Sequence, residues 1–290
     1  MAETWTNRTL LAWAQADFAK RGVDSPRLDA ELLLAEVLGL SRVQLYLDLD
    51  RPLAGEELEG FREMVARRRR REPVAYILGR RGFYGRDFHV GPAVLVPRPD
   101  TEALIERALR LLDEQSEAQL LDLCTGSGAL GVTLAAERPG CRVDVADLSA
   151  EALAMARLNA EALGVAARMR FFEGDLCAPL EGQGPYELVV VNPPYIPAEE
   201  LGSLMPEVSE YEPRVALEAA EGGLAFYRRL ALELPGFLSP GGHVLMEVGQ
   251  GQAGWVMAHF ESTLGFSELA CHRDFGGVER VVEATYHPQG

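Results

Sequence analysis

Apolar residues recur every three or four positions through the first seventy residues. Leu10, Leu11, Trp13, Ala14 and Phe18 form one stripe, and Leu28, Leu32, Leu33, Ala35, Val37 and Leu38 form a second. That period is one face of a helix. Asp24 or Ser25 before Pro26 gives the second helix an N-cap with proline in its first turn, and Gly39 gives it a C-cap. A third helix is predicted from about Ala54 to Arg71, with Leu58, Phe61, Met64 and Val65 on one face and Arg67 to Arg71 in its last turn, where the helix dipole favours positive charge. From Arg81 to Arg98 the pattern changes to short apolar stretches, GFYGRDFHV and then GPAVLVPRP, which predict two strands turning around Gly91-Pro92. Beyond them strand-like runs follow at LLDLC (120–124), RVDVAD (142–147), MRFFEGD (169–175), YELVVVN (186–192), HVLMEVG (243–249) and RVVEATY (280–286). Helical runs such as Glu151 to Leu163 and Leu224 to Leu234 fall between them. This alternation predicts an α/β fold with a mainly parallel sheet covered on both faces. The expected division is a helical domain over 1–80, a hairpin linker over 81–98 and an α/β domain over 99–290.

A chain of 290 residues with 48% hydrophobic content can build a large core. No window approaches 18 consecutive apolar residues, so no membrane-spanning helix is expected. The N-terminal stretch is broken by charges and does not read as a signal peptide. Cys124, Cys141, Cys177 and Cys271 lack CxxC or Cys/His spacing, which indicates neither a disulfide framework nor structural zinc and fits a reducing, cytoplasmic setting. The net charge of −16 is uneven: residues 1–85 carry 14 basic and 13 acidic side chains, while residues 86–290 carry 14 and 31. An acidic body of that size repels a phosphate backbone, so a stable nucleic-acid partner is not expected.

Two motifs carry the chemistry. The first α/β strand runs into a glycine loop in which Gly126, Gly128 and Gly131 spell G-x-G-x-x-G at a strand-to-helix turn, and Asp147 ends the next strand. Glycines allow close backbone approach and the carboxylate accepts from a ribose diol. The same pattern suits a dinucleotide, any other adenosine ligand, or a tight turn with no ligand. Three carboxylates at strand ends, Asp122, Asp147 and Asp175, fit an adenosine group with a methionine tail better than a dianionic pyrophosphate, with Asp122 fixing the loop. The second motif is Asn192-Pro193-Pro194-Tyr195, directly after the apolar run ELVVV. Two prolines fix their φ angles and leave the sheet abruptly, so the asparagine projects into the crevice at the strand ends. An amide or exocyclic base nitrogen is a poor nucleophile because its lone pair is delocalised. If Asn192 Oδ1 and the Pro193 carbonyl each accept one N–H, that nitrogen is held for methyl transfer by positioning and electrostatic support, without a metal or a strong base. Tyr195 offers a flat face for a planar amide or base.

These residues resemble the S-adenosylmethionine-dependent methyltransferases of amino groups, and further stretches are similar to one family among them. EPVAYILGRRGFYGRDF (72–88), VLVPRPDTEALIE (94–106), LDLCTGSGALGVTLA (121–135), VVNPPYI (190–196), EYEPRVALEAAEGGLAFYRRL (210–230) and EVGQGQ (247–252) resemble the release factor glutamine methyltransferases. The match covers the linker and nearly all of the catalytic part; the first 70 residues resemble the family mainly in length and helical character. The resemblance implies a Rossmann-like methyltransferase domain joined by a β-hairpin to a small N-terminal all-α domain that recognises the partner. It implies S-adenosyl-L-methionine as cofactor, S-adenosyl-L-homocysteine as product, and transfer to the side-chain amide N5 of the glutamine in the GGQ loop of class 1 peptide chain release factors. Cys124, Thr125, Gly126, Ser127 and Gly128 would surround the methionine part, Asp147 would hold the ribose, and Asp175 and Leu176 would border the adenine. Asn192 would touch both cofactor and substrate amide, and Pro193, Pro194 and Tyr195 would form the glutamine pocket. The chain departs from the family in two places, with Cys124 where glycine is usual and Leu176 where an aromatic is common.

Several other residues carry open readings. Phe83, Tyr84 and Phe88 could line an entrance or form interdomain core. Arg98 could contact cofactor or partner, or pair with Asp100 or Glu102. Arg67 to Arg71 read as a solvated helix end or as a docking surface for an acidic partner. Glu207, Glu210 and Glu212 could close over the substrate or form a solvated loop. Cys141 and Cys177 read as small buried residues, and none of the five histidines reads as base or ligand. A monomer is expected. The rivals are the same reaction on a glutamine of a ribosomal protein, N6-adenine methylation of nucleic acid, and a non-catalytic adenosine-ligand sensor that would have no need of NPPY.

Overall fold

The computed structural model describes residues 5–288, which fall into two compact units. The first unit runs to Gly79 and also takes in Met205–Tyr211; the second holds Arg80–Leu204 and the chain from Glu212 onward. The first is built from helices α1 (Asn7–Lys20), α2 (Pro26–Leu38), α3 (Arg42–Leu47), α4 (Gly55–Arg69) and α5 (Val74–Leu78). Thr6 and Thr9 close a capping box at the start of α1, and Gly39 ends α2 in the left-handed region at φ 62°. The helical stripes converge on one core in which Leu10, Ala14, Phe18, Leu33, Leu34, Phe61 and Val65 are buried. Each large side chain among them contributes roughly 1.5–3 kcal/mol.

Four of the five arginines at the end of α4, Arg67, Arg68, Arg69 and Arg71, are paired within this unit, while Arg70 is exposed. Arg67 pairs with Glu72 at 2.5 Å and Arg69 with Asp17 at 2.8 Å. Arg68 is buried and bridges Asp29 and Glu207, each at 2.7 Å, and Arg71 reaches Glu207 at 2.5 Å. Glu207 lies in the one-turn helix α9 (Pro206–Ser209), inside the segment that joins this unit from far along the chain. Local sequence could not show that the counter-charge for α4 comes from there.

The second unit opens with a hairpin of β1 (Arg80–Phe83) and β2 (Arg86–His89). Its turn is Tyr84-Gly85, with φ of 47° and 71°, not the expected Gly91-Pro92. Two successive left-handed residues match the right-handed twist of the paired strands. Phe83 and Phe88 are buried in the core of this unit, and Tyr84 packs against that core. There follow α6 (Glu102–Leu111), β3 (Gln119–Leu123), α7 (Ala129–Glu137), β4 (Arg142–Asp147), α8 (Ala150–Ala162), β5 (Met169–Glu173) and β6 (Tyr186–Val191). The irregular turn α10 (Ala220–Gly223), α11 (Ala225–Glu233), β7 (Leu238–Glu247), α12 (Ala253–Glu261), β8 (Phe266–Arg273) and β9 (Glu279–Tyr286) complete it.

Seven strands form one sheet in the order β5-β4-β3-β6-β7-β9-β8. β5, β4, β3, β6 and β7 are parallel, while β9 runs antiparallel to β7 and to β8. Alternate residues point to opposite faces. Leu120, Val143, Val145, Leu188 and Val190 therefore enter one core beneath α6, α7 and α8, while Leu121, Leu123, Val189, Val191 and Val244 enter the other with Tyr227, Leu230, Val256 and Phe260. This is the mainly parallel sheet that the alternation predicts, in the Rossmann-like form that the resemblance implies. β8 was not foreseen. It is a half-exposed edge strand without clean alternation, broken where Glu268 takes φ 51°. The order reverses between β3 and β6, and adjoining carboxyl ends at such a point leave a crevice for ligands.

Candidate functional site

The glycine loop leaves β3 at that crevice. Asp122, the last-but-one residue of β3, is fully buried; its Oδ2 accepts from Thr125 Oγ1 at 2.6 Å and from the Gly131 backbone N–H at 2.8 Å. One carboxylate oxygen thus ties the start of the loop to the first turn of α7. Asp122 Oδ1 is buried without a hydrogen-bond partner, and burial pushes this carboxyl up to about 7. Gly126 and Gly128 have φ of 54° and 80°. Gly131 is needed for space: a Cβ there would lie 2.8 Å from Val145 Cγ1 and 3.0 Å from Asp122 Oδ2. Asn159 of α8 supports the loop from outside, donating from Nδ2 to Ser127 O at 2.8 Å and to His89 O at 3.0 Å.

The loop borders a cavity of about 310 Å³, within the range of small-ligand sites. Of the residues expected to hold a cofactor, Cys124, Thr125, Gly126, Ser127, Asp147, Asp175, Leu176 and Asn192 line it. Asp122 and Gly128 do not; both shape the loop from behind. Asp147 Oδ2 accepts from Gly126 N–H at 2.8 Å and Oδ1 from Ser149 N–H at 2.9 Å. Each oxygen keeps a lone pair that a diol could donate to. Burial raises the Asp147 carboxyl, against the pull of the Ser149 and Gly126 amides. Asp175 is paired with Arg229 at 2.9 Å. Leu176, at φ 47°, and Phe226 supply apolar wall, and Val215 and Ala216 line the cavity from another stretch of chain. Cys124 holds φ 56°, the left-handed region where glycine is at ease. Burial and the nearby carboxylates of Asp147, Asp122 and Asp175 push its thiol well up, so it stays protonated. Flexible glycine backbone, a carboxylate facing inward and apolar walls together fit an adenosine-bearing sulfonium.

Asn192 follows the end of β6 on the same wall, with its Nδ2 donating to Thr101 Oγ1 at 3.4 Å. Pro194 lines the cavity; Pro193 is buried outside it, and so is most of Tyr195. The Tyr195 hydroxyl donates to Glu247 Oε1 at 3.2 Å, and its carbonyl accepts from Gln252 Nε2 at 3.0 Å. Tyr195 is thus anchored by its neighbours, and the expected stacking face is packed within the unit. Gly223, at φ 87°, lies so near that a Cβ would run into the Tyr195 carbonyl and into Gln252 Nε2 at 2.6 Å. Arg98 pairs with neither Asp100 nor Glu102 but with the buried Glu212, at 2.7 Å and 2.8 Å. Glu212 is therefore no solvated lid residue. Reading the sequence missed Thr101, Glu247, Gln252 and Asn159, because their roles depend on strand neighbours and not on spacing.

The chain is similar to known proteins along nearly its whole length. Residues 9–79 match the family described as PrmC N-terminal domain, and residues 101–205 match the methyltransferase small domain. It is 46% identical to the release factor glutamine methyltransferase of Geobacter sulfurreducens over 280 residues, covering 97% of this chain and 96% of that one. It is 42% identical to the release factor glutamine methyltransferase of Chlorobaculum tepidum over 286 residues, with 96% of each chain covered. Among solved structures, a methyltransferase from Pyrococcus furiosus aligns with 72% of this chain and 92% of its own, at a TM-score of 0.52 and 19% identity, which is a likeness of fold.

Proposed function

The chain belongs to the release factor glutamine methyltransferases, and from that premise we propose that it methylates the side-chain amide N5 of the GGQ-loop glutamine in class 1 peptide chain release factors. The observation that carries this reading is the position of Asn192, which follows β6 directly on the wall of the cavity that Asp147 and the glycine loop also line. When bound there, S-adenosylmethionine supplies a sulfonium methyl group and leaves as S-adenosylhomocysteine. Asp147 would take the ribose hydroxyls, Leu176 and Asp175 would border the base, and Cys124 to Ser127 would wrap the methionine tail, with Gly128 shaping the loop behind them. Asn192 Oδ1 and the Pro193 carbonyl accept the two N–H groups of the glutamine amide and turn its lone pair toward the methyl carbon. As the N–C bond forms and the C–S bond breaks, these oxygens face the charge developing on nitrogen, whose extra proton passes to water. Pro194 and Tyr195 shape the glutamine pocket, Tyr195 through its anchored backbone. The helical unit recognises the folded partner away from the reacting loop, and the binding energy so gained helps position a weak nucleophile. The same reading takes the enzyme as a monomer in a reducing cytoplasm, consistent with its four free cysteines, with no stable nucleic-acid partner.

The test is transfer of label from S-adenosylmethionine to a class 1 release factor, to the same factor with its GGQ glutamine changed to alanine, and to total ribosomal protein. Label on the unchanged factor alone is expected. Asn192→Ala should lower kcat on the order of 10²–10³-fold, the scale of losing one preorganised group at a developing charge, with cofactor affinity retained. Label only in the ribosomal pool would overturn the choice of partner.

A further inference from the structure

A primary amide works as an acceptor only in one of its two orientations, since rotation by half a turn exchanges oxygen for NH2. What fixes Asn192 is written in two side chains that the glycine loop and NPPY motif do not include. Glu247, at the end of β7, is buried, and its Oε2 accepts from Thr101 Oγ1 at 2.6 Å. Thr101, also buried, has only one hydroxyl proton, and that proton is committed to the carboxylate. Its oxygen is left with lone pairs alone, so it can face the N–H side of Asn192 and repels the carbonyl side. The 3.4 Å approach of Asn192 Nδ2 to Thr101 Oγ1 agrees with this count. The other carboxylate oxygen accepts from Tyr195, three residues further along the same loop.

We infer that Thr101 is a positioning residue, which with Glu247 behind it sets the amide orientation of Asn192 and so aims Asn192 Oδ1 at the substrate. This rests on the amide-acceptor role proposed for Asn192. Burial raises the Glu247 carboxyl, while the Thr101 hydroxyl, the charge of Arg280 and the Tyr195 hydroxyl favour its ionised form, in which it can only accept. The relay runs one way in its hydrogen bonds: Thr101 Oγ1 donates to Glu247 Oε2 and accepts from Asn192 Nδ2.

Thr101→Val keeps the shape and removes the hydroxyl. Transfer is measured with whichever acceptor the wild-type chain labels, release factor or ribosomal protein. Thr101→Val is expected to lower kcat by about tenfold or more, the scale of one lost hydrogen bond to a reacting group, with KM for S-adenosylmethionine little changed. Thr101→Ser should restore kcat to within about twofold. In an Asn192→Ala background Thr101→Val should cost nothing further, because its effect runs through that amide. Wild-type kcat in Thr101→Val, a serine variant as slow as the valine one, or additive losses in the double variant would each overturn the inference. Should Thr101→Val fail to fold, Thr101→Ala alone and combined with Asn192→Ala still tests it, and additive losses there overturn it. Transfer to the ribosomal acceptor alone would sink the release factor reading and leave this inference testable. No transfer by the wild-type chain to either acceptor would overturn both.

Discussion

Asp122 shows how a single residue can serve a ligand loop at a cost to the fold. Its Oδ2 holds Thr125 and Gly131 in place, while Oδ1 is buried with no partner. The folded carboxyl titrates near 7, above the ordinary value of 3.8. The folded state therefore binds the proton more tightly than the unfolded state between those values, so stability is fully present below the unfolded pKa and falls as pH rises through the folded one. Asp122→Asn supplies the same acceptor without the charge. Between pH 5 and pH 8 the wild type should lose on the order of 1–3 kcal/mol relative to this variant, read from urea unfolding at each pH. Parallel curves for the two proteins would show that Asp122 is not the source. The sequence displayed Asp122 and Cys124 plainly, but it could not show that Asp122 stands behind the loop or that Cys124 takes φ 56°. Backbone sign and burial are properties of the closed loop, and only the family's usual glycine hinted at the first.

At the scale of elements, regular periodicity was legible and its interruptions were not. The strand cores from β3 to β6 and the helices α7, α8 and α11 follow from runs of apolar residues. The hairpin turn was misplaced because Gly-Pro is a stronger local turn signal than Tyr-Gly, whereas the paired register of β1 and β2 favours the latter. The stretch from Glu212 to Ala219 had no readable element, yet it brings Val215 and Ala216 to the cavity and pairs with Ile196 beside NPPY. Its anchor is the buried Glu212 carboxylate on Arg98. Burial raises Glu212 and Arg98 opposes that shift, so without the guanidinium a buried carboxyl loses its partner and the stretch loses its anchor. Glu212 does not line the cavity, which separates anchoring from direct contact. Glu212→Ala and Arg98→Ala are each expected to weaken cofactor binding by about tenfold, and together by little more than either alone. Calorimetric titration of cofactor into the three variants measures this. An unaltered affinity in Glu212→Ala would leave Arg98 as a direct contact and remove the anchoring role.

At the scale of the whole chain, the boundary between units is not one cut in the sequence. The chain enters the second unit after Gly79, returns to the first for Met205–Tyr211 and leaves it again at Glu212. The returning segment follows NPPY by nine residues and precedes the Arg98 anchor directly. Its Glu207 is held by two guanidinium groups of the helical unit, and Tyr211 donates to Arg70 O at 2.6 Å. Charge arithmetic separated a neutral N-terminal part from an acidic remainder, but could not reveal this return, since a seven-residue excursion leaves no mark on composition. The consequence is testable by truncation. A chain of residues 80–290 lacks the partners of Glu207 and Tyr211, so the segment between NPPY and the Arg98 anchor loses its own fixed points. If the helical unit served recognition alone, such a chain would bind cofactor normally and methylate a short GGQ peptide at the full-length kcat. The expected result is a loss in both, with cofactor affinity down by about tenfold or more and peptide turnover falling at saturating cofactor. Full-length values for both quantities would confine the helical unit to partner recognition.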